Sequence, residues 1–154
     1  RLEIMRDSRL GTDGVAALVL ALLAKVACIA VLMKMSPLFA AGAVLAAALM
    51  ARTAALDIWI AGPSARPDGL AASRPTEASF HIAALIAAGL SVALIFWQAP
   101  AGVISATFLL LLTVKGLGVL ARRKIGGVTG DVIGAAIVAG DLVYLATLAI
   151  WASP

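Results

Sequence analysis

An all-α membrane protein, a bundle of about five transmembrane helices, is the fold class this sequence predicts, and three observations predict it. Of its 154 residues, 63% are hydrophobic and 13% are charged, against about 45–50% and about 25% in an ordinary soluble domain. Mean hydropathy is +1.09. The apolar stretches are long and rich in Ala and Leu, without the alternation of a membrane β-barrel. A soluble globular enzyme and a disordered tail are both excluded, because neither has a surface that this composition can supply. The whole chain, 1–154, reads as a single membrane-embedded helical domain.

A span needs about 20 mostly apolar residues. The first candidate runs from Val15 to Met33 and the second from Leu38 to Ala61. The third, His81 to Trp97, is short but extends into its flanks. The fourth runs from Gly102 to Ala121 and the fifth from Val132 to Ala152. Trp59, Trp97 and Trp151 fall near span ends, where amphipathic rings settle at the membrane interface. Pro37 and Pro100 mark tight connections, and Gly62 to Ser79 forms a longer one with Pro63, Pro67 and Pro75.

Orientation follows from the loops. Five spans put Arg1, Arg6, Arg9, Arg66, Arg74, Arg122, Arg123 and Lys124 on one face and Lys34 alone on the other. Eight basic residues against one is a strong positive-inside asymmetry, which makes the first face cytoplasmic and sends the C-terminus across. The net charge of +4 is explained by that asymmetry. No basic patch interleaved with aromatics points to nucleic acid. The single cysteine, Cys28, lies in an apolar run and has no metal-ligand spacing around it. The chain opens on Arg1 without a signal peptide, and is expected to lack its true N-terminus.

Five ionisable residues fall inside the spans: Lys25, Arg52, Asp57, Lys115 and Asp141. At ~1.5 Å per residue, Asp57 lies ~6 Å and Lys115 ~9 Å below the cytoplasmic end. Arg52, Asp141 and Lys25 lie ~15 Å deep on the same count. Snorkelling accounts for Lys115 and partly for Lys25. Arg52 and Asp141 are too deep for that, so they are expected to face a polar interior pocket, with direct pairing as one arrangement.

Two loop motifs carry chemistry. In Arg1 to Gly14, RLEIMRDSRLGTDG, Glu3 and Asp7 stand at i and i+4 and share a helix face. A charged helix ending at Gly11 is expected before the first span. In Arg122 to Ala135, RRKIGGVTGDVIGA, Gly126, Gly127 and Gly130 allow close backbone approach to a ligand. Asp131 then opens the fifth span. Its ordinary role there is a helix N-cap. Basic residues beside a glycine-rich turn and a helix N-terminus also make a phosphate site. Asp131, Gly134, Val138 and Asp141 share one broad side of the fifth helix, and Gly130-x-x-x-Gly134 is a face suited to close helix packing.

RLEIMRDSRLGT before a small-residue-rich span, and RKIGGVTGDVIGAA before a span with an acidic residue further on, resemble the two motifs of the cobalamin synthase family, adenosylcobinamide-GDP ribazoletransferase, in that family's order. Met50-Ala51-Arg52 resembles its small-residue–Arg step more loosely. The resemblance spans nearly the whole chain. The family's N-terminal acidic motif, of the form DGLADTxDG, would precede Arg1, so this chain resembles a C-terminal portion. Asp68-Gly69-Leu70-Ala71 spells part of that motif in another place and reads as loop. Val138 stands where the family often carries an acid, and Asp141 fits a second acidic position.

The resemblance implies a bacterial inner-membrane, multi-pass transferase with its active face in the cytoplasm. The 3′-hydroxyl of α-ribazole, or of its 5′-phosphate, attacks the phosphate joining adenosylcobinamide to GMP, and GMP leaves. It implies Mg²⁺ held by carboxylates, with cations against phosphate charge. Carried onto this sequence, Asp7, Arg9 and Asp131 are catalytic and Asp7 and Asp131 hold metal. Arg6, Arg52, Arg123, Lys124, Gly127, Thr129 and Gly130 meet substrate phosphate. The partners are the small-molecule substrates and the lipid bilayer, without nucleic acid, and self-association is left open. Two other readings compete. A small transporter or channel subunit would use the intramembrane charges as its path. Another metal-dependent membrane phosphotransferase, of the CDP-alcohol type, would need several aspartates on one helix, which are not present.

Overall fold

The computed structural model describes residues 11–65 and 75–152. Five helices fill them: α1 Thr12–Met33, α2 Pro37–Ala61, α3 Glu77–Ser91 continued by a π-helical turn Val92–Phe96, α4 Pro100–Ile125 and α5 Gly130–Ala152. Each is long and apolar enough to cross a membrane. The only strand-like feature among the described residues is one isolated bridge between Ser64 and Val128.

Local chemistry sets the helix ends. Ser36 caps α2, its Oγ accepting from the Phe39 N–H at 3.0 Å, and Pro37 takes the first helical position. Proline costs nothing there, since that N–H has no partner in a helix anyway. Pro100 plays the same part in α4. α4 runs past the expected Ala121 to Ile125, taking Arg122, Arg123 and Lys124 into its last turn. Cations are favoured there by the helix dipole. Gly126, at φ +79°, ends it in the left-handed region. α3 starts at Glu77, earlier than expected, with acid in its first turn.

α2 and α5 form the centre. α2 turns Ala43, Ala47, Ala51 and Ala54 inward. Small residues let backbones approach, which is what drives helix association where lipid is as apolar as the core. Gly140 of α5 is the tight point: a Cβ there would stand 3.0 Å from Val114 Cγ2 and 3.5 Å from Ala51 Cβ. The expected packing face at Gly130 and Gly134 is not used. Both are exposed and have open space where a Cβ would go. α5 presents Asp131, Gly134 and Val138 outward and turns Asp141 into the bundle.

Candidate functional site

The end of the bundle where α2 and α4 finish and α5 begins is held together by two short loops. Gly62 closes α2, its N–H donating to the Ile58 carbonyl at 3.1 Å. Gly126 closes α4 with an N–H bond to the Arg122 carbonyl at 3.1 Å. Between them the Val128 N–H donates to the Pro63 carbonyl at 2.8 Å, and the Ala65 N–H donates to the Val128 carbonyl at 3.0 Å. Val128 is fully buried at this seam. Gly127 makes the approach possible. A Cβ on it would lie 2.8 Å from the Ala65 nitrogen and closer still to the Pro63 carbonyl oxygen. Its close backbone approach is therefore to the neighbouring loop.

Thr129 then starts α5. Its Oγ1 accepts from the Val132 N–H at 3.4 Å, and its carbonyl accepts from the Ile133 N–H at 3.1 Å. Thr129 is 3% exposed. The capping role that position allowed for Asp131 thus falls to Thr129, because the helix begins at Gly130. Asp131 sits in the first turn with its side chain exposed. Exposed Gly130 precedes it, at the positive end of the α5 dipole. Arg123 and Lys124 stand exposed on the last turn of α4, across the glycine turn, while Arg122 Nε donates back to the Gly118 carbonyl at 3.4 Å. One carboxylate, a basic helix end and the free N–H groups of a helix start are thereby gathered at one end of the bundle. Helix starts beside basic residues are common phosphate sites, and carboxylate oxygens are the ligands that hard cations take.

Of the other expected site residues, Arg6, Asp7 and Arg9 lie outside the described residues. Arg52 lies away from the loop seam. It is exposed on α2, its Nη1 donating to its own helix at the Ala48 carbonyl, 3.0 Å away. Of the two residues expected to face an interior pocket, Asp141 does and Arg52 does not, so the direct pairing open to them is not formed. The face of α2 toward α5 carries Ala51, whose Cβ is within van der Waals reach of a Cβ on Gly140, and a guanidinium does not fit that spacing. Asp141 instead pairs with Lys25 of α1. Lys115, expected to snorkel, reaches Asp57 of α2 at 3.4 Å. Among the described residues no three His, Cys, Asp or Glu side chains are placed to share a metal ion.

The two features that sequence reasoning did not find are the Pro63–Val128 seam and Lys25 as the partner of Asp141. Neither has a local pattern, since each joins segments far apart in the chain.

A family model described as cobalamin-5-phosphate synthase matches residues 1–149. A Sinorhizobium protein named adenosylcobinamide-GDP ribazoletransferase is 44% identical over 97% of this chain and 59% of its own length. A Rhizobium etli protein of the same name is 42% identical over 96% of this chain and 58% of its own. One from Citrobacter koseri is 38% identical over 96% and 59%. The chain spans just under three-fifths of the length of these curated relatives. No solved structure matches it.

Proposed function

The chain belongs to the cobalamin-5-phosphate synthase family, and on that premise we propose that it acts in a membrane transferase that completes the nucleotide loop of cobalamin. The observation that supports this best is the joint placement of exposed Asp131 and the basic end of α4 around the seam of the two loops. In the proposed reaction the 3′-hydroxyl oxygen of α-ribazole, or of its 5′-phosphate, forms a new bond to the phosphorus that carries adenosylcobinamide. The bond from that phosphorus to GMP breaks, and GMP leaves with the electron pair. The hydroxyl proton passes to a base.

Each nearby residue has a part in that reading. Arg123 and Lys124 face the negative charge of the pyrophosphate. The first-turn N–H groups at Gly130 and Asp131 orient a phosphate oxygen without a charge of their own. Thr129 and Gly127 act through the backbone: one starts α5 at the right residue, the other holds the seam that fixes where it starts. Mg²⁺ binds through one or two carboxylates and keeps several waters, and the exposed Asp131 carboxylate fits such a ligand. Asp7 is the proposed second one. Bound there, the cation supplies charge neutralisation at the transferring phosphate. The active face is the cytoplasmic side of a bacterial inner membrane, which the basic loop asymmetry supports.

The test is turnover of the full-length enzyme, read as GMP release from adenosylcobinamide-GDP with α-ribazole. Asp131→Asn keeps size and removes charge, and Thr129 retains the helix start. A loss of roughly a hundredfold or more in kcat is expected, the scale of removing one preorganised charge-stabilising group. Near-normal turnover would defeat the role of Asp131.

A further inference from the structure

α1 is the least embedded of the five helices. Leu32, in its last turn, is the one buried residue along it. Lipid tails compete with helices for apolar contact on equal terms, so packing alone sets the height of α1 against α5 only loosely. One polar contact removes that freedom. Lys25 Nζ of α1 is paired with Asp141 Oδ2 of α5. Asp141 is 9% exposed, and its Oδ1 has no hydrogen-bond partner among the described residues. The Lys25 side chain is half-buried, and an ion pair whose buried carboxylate is left half satisfied is a poor source of stability, since apolar side chains of similar volume do as well or better. The best-attested use of such a buried polar pair is to specify register.

Register matters at the loop end of the bundle. α1 and α5 both begin there. Lys25 lies ~20 Å along α1 from Thr12, and Asp141 ~17 Å along α5 from Gly130, at ~1.5 Å per residue. Joining the two brings the first turns level, Asp13 in one and Asp131 in the other. A slip by one turn would offset them by ~5.4 Å.

We propose that the Lys25–Asp141 pair is a register lock that sets the height of the chain entering α1 at Gly11 against Asp131. Lys25 and Asp141 are positioning residues: they hold two segments at one level and touch no reacting atom. The lock stands on the geometry of the helices, and its effect on turnover rests on the reading of Asp131 given above.

The experiment measures height directly. Nitroxide labels go on Val15→Cys and Ala135→Cys, both exposed positions, in the full-length protein in lipid nanodiscs. Native cysteines, Cys28 included, are replaced by alanine. Pulsed electron resonance gives the label-to-label distance. The native pair is expected to give one narrow distribution. Single neutral variants strand a charge and risk misfolding, so the informative variant is Lys25→Leu with Asp141→Leu, which removes both. It should insert as helix, while the distance broadens or moves by a few ångströms, the part of a ~5.4 Å axial slip that a mainly lateral label-to-label vector registers. The swap Lys25→Asp with Asp141→Lys should restore the narrow distribution. In the unlabelled enzyme the double Leu variant should lose roughly tenfold or more in kcat with KM little changed, as a misplacement of reacting groups does. A native distance in the double Leu variant would overturn the lock. A moved distance with unchanged kcat would leave the lock standing and overturn its link to Asp131.

Discussion

The Pro63 carbonyl accepts a hydrogen bond from the Val128 N–H at 2.8 Å, joining the end of α2 to the turn between α4 and α5. This contact fixes the approach of the chain to Asp131, because Val128 is three residues before it and fully buried. Gly62 packs beside the Val128 methyls, where its own Cβ would come within 3.3 Å of them. The site is thus built from backbone approach, with glycines marking the contact surface.

Gly127→Ala should open that seam. Its Cβ would press on Pro63 and Ala65 backbone atoms, which cannot rotate away as a side chain would. A loss of about 1–3 kcal/mol in stability is expected, the cost of inserting a methyl into a filled space. Amide exchange at Ala65 and Val128 reads it locally, and both should lose protection. Gly126→Ala should cost less, about 1 kcal/mol, because it meets open space and only the positive φ resists it. Equal effects from the two would show that the close approach is not what matters.

Thr129 and Asp131 should separate stability from function. Thr129→Val keeps the volume and deletes the Oγ1 acceptor for the Val132 N–H. It should cost about 1 kcal/mol, as loss of an N-cap does. Asp131→Asn should cost no more than the dipole interaction of an exposed first-turn acid, about 0.3–1 kcal/mol. Thermal unfolding in detergent ranks the two. A larger loss for Asp131→Asn would return the capping role to Asp131.

The sequence made the spans and the charged loop face readable, because each is a local property. Hydropathy marks a span wherever it sits, and Pro37 and Pro100 mark the tight connections between spans. What faces what was not readable. These helices are apolar all round, since lipid asks for the same side chains as the core. Periodicity therefore could not tell the open face of Gly130 and Gly134 from the packed face of Gly140. The ion pair of Lys25 with Asp141 joins residues 116 positions apart, and choosing Lys25 over Arg52 as the partner needed the rotation of α2. At the candidate site, the glycine-rich turn and Asp131 were legible as a constellation. The neighbouring loop that the turn grips was not, because Pro63 to Ala65 carries no motif.

Tyr144 should be replaceable. It is fully buried on α5, and its hydroxyl lies toward Thr107 and Ser91 without a hydrogen bond of normal geometry among the described residues. Ser91 donates its own proton to the Ala87 carbonyl at 2.7 Å, so toward Tyr144 it can act only as an acceptor. Removing an unpaired buried hydroxyl is neutral or stabilising. Tyr144→Phe should therefore unfold at the same temperature or a higher one. A loss of more than about 1 kcal/mol, the scale of one net hydrogen bond, would show that the hydroxyl has a partner.

The topology is testable without turnover. Short connections at residues 34–36 and 97–99 reverse the chain direction between α1 and α2 and between α3 and α4. The bridge between Ser64 and Val128 puts the end of α2 and the start of α5 at the same end of the bundle. Five spans then place Pro75, just before α3, on that side and Ala152, at the end of α5, on the opposite one. The basic residues of the loops select which side is cytoplasmic. Reporter fusions, one active only in the cytoplasm and one only outside it, read this after Pro75 and after Ala152. The Pro75 fusion should be active with the cytoplasmic reporter and the Ala152 fusion with the external one. Both fusions on one side would mean that one of the five helices does not cross. The reverse assignment would keep the bundle but move Asp131 and Arg123 to the outer face, away from the cytoplasmic nucleotide substrates proposed for them.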